Sequence, residues 1–146
     1  MPISVGSTIP APLAPLLAAQ GISGPCLVAV VKEGCGACED ALPLLDAAAD
    51  VVGPILVVAQ EDAATTAALR AALAPELAWT ADAPPYAVSR ALDVVFTPTL
   101  LRLDHATVMD RADGFDPDSL HRMLAALNPG FALFGPGEVR PHFRPG

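Results

Sequence analysis

The sequence predicts one α/β domain in which helices flank a central mixed sheet. Short, continuous apolar runs alternate with longer segments of helical periodicity, as expected when strands and helices follow one another along the chain. A pair of runs near the C-terminal side resembles an antiparallel hairpin, and the other runs are typical of strands covered on both faces. The length of 146 residues suits a single domain.

The first half of the chain contains two predicted strands and the helix between them. Cys26–Val31 and Ile55–Ala59 are continuous apolar runs, so we expect both to be buried strands. The segment 35–52 is predicted to be a helix because apolar residues recur on one of its faces. The Gly-Pro pair at 53–54 is expected to end that helix.

The second half continues the alternation and then changes to the hairpin. Asp62 is placed to cap an Ala-rich helix that Pro75 closes, and Asp116 is placed to cap the last helix. The predicted elements are, in order, a helix over 62–74, a strand over 77–80, a short helix over 86–92, hairpin strands over 99–103 and 106–110, and a helix over 117–127.

The two ends of the chain differ in composition from this central part. Residues 1–24 are read as an irregular arm with a short helix, residues 25–128 as the domain, and residues 129–146 as a Pro/Gly-rich tail. The tail holds three of the five phenylalanines. Two arrangements are therefore open for it: packing against its own domain, or docking on another subunit to form a homodimer.

Composition excludes several classes of function. Hydrophobic residues make up 53% of the chain and charged residues 16%, which excludes intrinsic disorder. The net charge of −8 disfavours nucleic acid and anionic membrane surfaces as partners. Charges or prolines interrupt every long apolar run, so no membrane span is expected. Residues 1–31 also lack the basic start of a signal peptide, and we expect a cytoplasmic location.

A cysteine pair carries the strongest chemical signal. Cys35 and Cys38 lie where a buried strand is followed by a helix, with Gly34 just before the pair. Unpaired N–H groups and the macrodipole at a helix N-terminus favour a thiolate, so Cys35 is predicted to be a nucleophile. Cys38 lies one helical turn further on and is expected to resolve a mixed disulfide. Gly36 and Ala37 place no bulk over the sulfurs.

Metal handling is the main alternative for this pair. Two thiols supply only half of a zinc site, and completing one requires Cys26 or a histidine distant in sequence. Copper binding by two thiolates and a histidine stays open, as does a purely protein-binding module. We expect thiol–disulfide chemistry that needs no metal and no cofactor.

Beyond the residues themselves, the chain resembles the thioredoxin superfamily over roughly residues 25–128. The resemblance rests on four features in order: the CGAC motif after a buried strand, Pro43 in the same helix, Thr97-Pro98-Thr99 at the start of a strand, and Gly114 before the last helix. It implies a thioredoxin-like fold with a cis peptide bond before Pro98, close to the active-site sulfurs. It also implies that substrate is bound by the surroundings of the cysteines, namely Gly34, Gly36, Ala37, Thr97, Pro98 and Gly114.

Within this superfamily the layout looks like the redoxin branch, which contains the TlpA-like oxidoreductases and the peroxiredoxins. The helix at 62–74 and the strand after it form an additional unit before Pro98. Lys32-Glu33-Gly34 lacks the Thr and Pro that precede a peroxidatic cysteine, so a peroxidase is the weaker branch. The resemblance implies a thiol–disulfide oxidoreductase that reduces protein or small-molecule disulfides and is recharged by an electron-donating reductase system.

The chain departs from the family pattern in two places. Gly34 replaces the usual tryptophan before the first cysteine, and Ala29 lies where the family has a buried acid that assists the second cysteine. Glu33 is a conceivable replacement for that acid, although a solvated turn residue is the simpler interpretation. Lys32 could steady a thiolate. Cys26, inside a predicted strand, is expected to be a buried apolar residue.

Overall fold

Five strands form one mixed sheet in the computed structural model, which describes residues 3–131. The strands are β1 (Cys26–Val31), β2 (Ile55–Ala59), β3 (Ala78–Ala81), β4 (Thr99–Asp104) and β5 (Thr107–Asp113). They lie in the order β3-β2-β1-β4-β5. The pairs β1–β2 and β2–β3 are parallel, whereas β1–β4 and β4–β5 are antiparallel. The predicted mixed sheet is confirmed, and β3 from the additional unit forms one of its edges.

In the described part of the chain, five helices accompany the sheet: α1 (Ala14–Ala19), α2 (Gly36–Val52), α3 (Ala63–Leu73), α4 (Ala87–Ala91) and α5 (Pro117–Leu127). The capping predictions are confirmed, because the Asp62 carboxylate accepts a hydrogen bond from the Thr65 N–H at 2.7 Å. The Asp116 carboxylate likewise accepts from the Asp118 N–H at 3.2 Å, with Pro117 at the first helical position.

Both faces of the sheet are covered by apolar cores. Side chains of β1 alternate between them: Ala29 and Val31 pack with α2 and α5, whereas Val28 and Val30 pack with α1 and α4. Every residue of β1 and of β2 is therefore buried, which explains why these strands read as continuous apolar runs.

The hairpin differs from its prediction at its far end. β5 continues to Asp113, three residues beyond the predicted end at 110, so the expectation that the strand stops there is wrong. The reason is Arg111, whose guanidinium donates to the carbonyl of Ile3 at 2.8 Å and to that of Leu92 at 2.7 Å, besides pairing with Asp113. These bonds hold the polar end of β5 against the N-terminal arm and the loop after α4.

The two terminal segments are only partly described. The N-terminal arm bridges Thr8 to Thr107 of β5 and leads into α1. Among residues 3–131 no helix has the length and apolar character to cross a membrane. The tail beyond Phe131, and with it the expected packing or homodimer contact, lies outside the described residues.

Candidate active site

The cysteine motif lies immediately after the central strand β1, at the C-terminal ends of the parallel strands. Because β1, β2 and β3 run in the same direction, the loops that follow them gather at that end of the sheet. Gly34 makes the turn into α2 with a φ of +72°, a left-handed conformation that a tryptophan would adopt only with strain. A Cβ at this position would meet no atom of the described residues within 4 Å, so the backbone conformation and not crowding favours glycine.

The sulfur of Cys35 is surrounded by three polar groups. Cys35 caps α2, and its Sγ accepts a hydrogen bond from the Cys38 N–H at 3.1 Å. The hydroxyl of Thr97 donates to the same Sγ at 3.3 Å, and the Cys35 thiol can donate to the Thr97 carbonyl at 3.4 Å. The two donors stabilise negative charge on this sulfur once the proton has left.

Cys38 lies deeper in the protein than Cys35. The exposed fraction is 4% for Cys35 and 1% for Cys38, and both cysteines are free thiols. Burial raises the pKa of the Cys38 thiol, and its hydrogen bond with Cys35 raises that pKa further. The backbone of Lys32 and the hydroxyl of Thr97 act in the opposite direction with smaller effect. Cys38 therefore tends to keep its proton, whereas the Cys35 sulfur next to it accepts hydrogen bonds.

Pro98 and Gly114 form the third side of the site. The Thr97–Pro98 peptide bond is cis, the form that the resemblance implies, and Thr97 is buried against Cys35. The Gly114 N–H donates to the Pro98 carbonyl at 2.8 Å. Gly114 has a φ of +87°, so a glycine suits the turn that brings this N–H onto Pro98.

The remaining residues that sequence reasoning assigned to substrate binding differ in accessibility. Gly34 is exposed and Gly36 half-buried, so backbone groups of the motif face solvent. Ala37 is buried in the core beneath the motif, which places its side chain away from solvent. The structure brings Cys35, Cys38 and Thr97 into direct contact, with Pro98 and Gly114 adjoining them.

No carboxylate lies beneath Cys38 at the position expected from the family pattern. Ala29 is fully buried there, in the same core cluster as the two cysteines. Glu33 is exposed, and its N–H donates to the Glu61 carboxylate at 3.0 Å, so it is a turn residue. Lys32 is exposed as well.

Sequence reasoning missed two features beside the site. Val95 and Phe96, directly before Thr97, are 72% and 44% exposed, although they are large and apolar. The Glu61 side chain reaches the turn before Cys35 from the loop after β2. Three consecutive apolar residues, 94–96, before a Thr-Pro pair and outside any strand were a usable signal for the first feature. Nothing in the sequence indicated the second.

The described residues offer the cysteine pair no further metal ligand. Among residues 3–131 no group of three or more His, Cys, Asp or Glu side chains is arranged to hold a metal ion. Cys26 begins β1, at the end of the strand opposite Cys35, and is buried as expected. His105 is exposed in the hairpin turn near the same end.

The sequence matches no protein-family model and no curated protein, whereas solved structures are similar. A putative thiol:disulfide interchange protein DsbE from Chlorobium tepidum aligns with a TM-score of 0.68 at 18% identity, covering 86% of this chain and 98% of that one. Reduced Prx3 from Vibrio vulnificus gives 0.68 at 22% identity, with the same two coverages of 86% and 98%. A secreted Mycobacterium tuberculosis disulfide oxidoreductase homologous to E. coli DsbE gives 0.62 at 14% identity, covering 70% of this chain and 81% of that one. Together with the mixed sheet and the cis-Pro98 loop, these similarities show that the chain has the thioredoxin-like fold.

Proposed function

We propose that the protein is a thiol–disulfide oxidoreductase whose dithiol, Cys35 and Cys38, reduces disulfides. The observation that carries the proposal is the environment of the Cys35 sulfur. It receives hydrogen bonds from the Cys38 N–H and the Thr97 hydroxyl, while the Cys38 thiol lies directly behind it. An attacking thiolate and a resolving thiol are the two groups that this chemistry needs.

The proposed reaction transfers two electrons and two protons in two steps. The Cys35 thiolate attacks one sulfur of a substrate disulfide, forms a mixed disulfide, and expels the other substrate sulfur as a thiolate that takes up a proton. Cys38 then loses its proton and attacks Cys35 in the mixed disulfide, which releases the second substrate thiol. The substrate disulfide is reduced to two thiols, and the Cys35–Cys38 dithiol is oxidised to a disulfide. An external dithiol reductase system returns the protein to its reduced form.

The direction of electron flow follows from the compartment. In a reducing cytoplasm, the location that we propose, the dithiol form dominates and substrates are reduced. Peroxide reduction is the weaker candidate, because Lys32 and Glu33 before Gly34 are exposed turn residues without the Thr and Pro of a peroxidatic site.

Trapping tests the two roles directly. Cys38→Ser should leave Cys35 able to attack but unable to be released, so mixed disulfides with a disulfide-bonded peptide should accumulate and be visible by intact mass. Cys26→Ser is the matched control, because it removes a buried thiol at the other end of β1 and should trap nothing. If Cys38→Ser forms no adduct while the unmodified protein is also inert, the proposed activity is wrong.

A redox titration in defined thiol buffers determines the direction of electron flow. Quenched alkylation and mass spectrometry should show one two-electron transition between Cys35 and Cys38, with a midpoint within or below the cytosolic poise of roughly −220 to −320 mV. A midpoint well above that range indicates an oxidant or isomerase, and contradicts the cytoplasmic reductase. If no Cys35–Cys38 disulfide forms at any poise, the dithiol mechanism fails.

A further inference from the structure

Two apolar surfaces flank Cys35 on opposite sides. One consists of the exposed side chains of Val95 and Phe96, directly before Thr97. The other is a groove of about 440 Å³ lined by Glu33 and the α3 residues Ala64, Thr65, Ala68 and Leu69. In the sheet, β4 lies on one side of β1 and β2 on the other, so the loop before β4 and the helix after β2 approach the site from opposite directions.

This spacing favours a polypeptide over a small disulfide. Neighbouring strands lie about 4.8 Å apart, so β2 and β4 are separated by roughly 10 Å. Because an extended chain advances about 3.3 Å per residue, a segment that touches both apolar surfaces needs about four residues or more. A shorter molecule leaves at least one of the two surfaces in water.

The charge around the groove has one dominant sign. The turn and first helical turn at 32–40 and the loop and helix start at 60–66 carry five carboxylate residues and one basic residue, Lys32. Glu33 precedes the two cysteines, Glu39 follows them, and both are exposed. The Glu61 carboxylate, from the loop after β2, accepts a hydrogen bond from the Glu33 N–H at 3.0 Å. Glu33, Glu39, Glu61 and Asp62 are called the acidic rim below. Such a rim attracts cations and repels anions as they approach the thiolate.

We propose that the substrate of this site is a protein disulfide within a basic segment that also carries an apolar side chain, and that glutathione disulfide is a poor substrate. This inference rests on the proposed function. The segment extends across both apolar surfaces, with its apolar side chain on Phe96 or in the α3 groove, and its basic residues contact the acidic rim. Glutathione disulfide carries no apolar side chain and is negatively charged, so it lacks each of these contacts.

Single-turnover kinetics test the inference with the reduced, full-length protein. Three disulfides are compared with a neutral reference, hydroxyethyl disulfide. The first is the symmetric disulfide of a nine-residue peptide with Leu beside its one cysteine and Lys at its flanks. The second is the same peptide disulfide with Glu at the flanks, and the third is glutathione disulfide. At low ionic strength we expect the Lys peptide to react about tenfold faster than the Glu peptide. That difference should shrink towards one in 1 M salt, where the Debye length is about 3 Å.

Variants locate the effect. Glu33→Gln combined with Glu39→Gln should lower the ratio of Lys-peptide to Glu-peptide rates at least about threefold. Glu76→Gln is the control. It removes an exposed carboxylate just before β3, at the end of the parallel strands opposite the cysteine motif, and should not change the ratio. Phe96→Ser should slow both peptides relative to hydroxyethyl disulfide.

The outcomes separate this inference from the proposed function. If the protein reduces hydroxyethyl disulfide but handles the Lys and Glu peptides equally, or prefers glutathione disulfide, the inference is overturned and the oxidoreductase activity stands. If it reduces none of the four disulfides, the proposed function itself fails and the inference fails with it.

Discussion

The hydrogen bond from the Thr97 hydroxyl to the Cys35 sulfur, at 3.3 Å, can be removed without changing side-chain shape. Thr97→Val replaces the hydroxyl by a methyl group in a buried position. A hydrogen bond to a charged group contributes about 1.5–3 kcal/mol, and the lower figure would correspond to roughly tenfold in rate if it were lost entirely from the transition state. A less stabilised thiolate is also more nucleophilic, with a Brønsted coefficient of about 0.4–0.5, so about half of that energy, or a factor of about three, should appear in the rate. We therefore expect Cys35 to react about threefold more slowly in the variant.

The assay is the rate of Cys35 alkylation by iodoacetamide at pH 7, followed by mass spectrometry of the peptide that contains Cys35. Thr66→Val is the control, because Thr66 is another buried threonine, on α3, whose hydroxyl has no hydrogen-bond partner among residues 3–131. It should leave the rate unchanged. Thermal melts of both variants show whether either one has lost its fold. If Thr97→Val reacts as fast as Thr66→Val, the hydroxyl does not stabilise the thiolate and this account of the site is wrong.

Three further predictions concern other parts of the molecule. Burial, with a contribution from Asp104, raises the pKa of Cys26 to about 11, whereas the thiol in the unfolded chain ionises near 9. The unfolded state therefore loses this proton first as the pH rises. We expect the free energy of unfolding to be full below pH 9 and to fall by up to about 2 kcal/mol by pH 11. Urea melts of Cys26→Ala should show a flatter alkaline profile, and an unchanged slope would contradict this cause. Because the pKa of Cys38 is raised, release of substrate from the mixed disulfide should accelerate about tenfold per pH unit from pH 7 to 9 in quenched-flow experiments, and a flat profile would exclude attack by the Cys38 thiolate. Arg111→Met leaves the carbonyls of Ile3 and Leu92 without their guanidinium partner and should cost about 3 kcal/mol in urea unfolding, whereas a loss under 1 kcal/mol would mean that water replaces it.

The alternation of strands and helices was predictable because it depends on local patterns. β1 and β2 are buried on both faces, so each reads as an unbroken apolar run with clear ends. The end of β5 was not predictable in this way. Its last residues are polar, and they stay in the sheet because Arg111 finds carbonyl partners on the N-terminal arm and after α4, far away in sequence.

The candidate site, too, was predictable only where it depends on local sequence. Cys35 and Cys38 could be identified from spacing, and the position of Cys35 at the start of α2 follows from the strand that precedes it. That the Thr97 hydroxyl, and not only its backbone, contacts the Cys35 sulfur depends on a rotamer and on the fold of β4 against β1. The acidic rim likewise forms only when the loop after β2 meets the turn after β1.

The departure from the family pattern at Ala29 has a kinetic consequence in the proposed mechanism. With Ala29 beneath it, Cys38 has no carboxylate at that position to take its proton, and burial holds the pKa of its thiol high. In the proposed mechanism, attack by Cys35 does not depend on that proton, whereas resolution of the mixed disulfide does. With the charge preference proposed above, the acidic rim also slows attack by anionic glutathione on the mixed disulfide in place of Cys38. In the proposed mechanism, release of the substrate waits for Cys38 to lose its proton, and that delay gives the apolar surfaces and the rim time to select which partner remains bound until Cys38 completes the exchange.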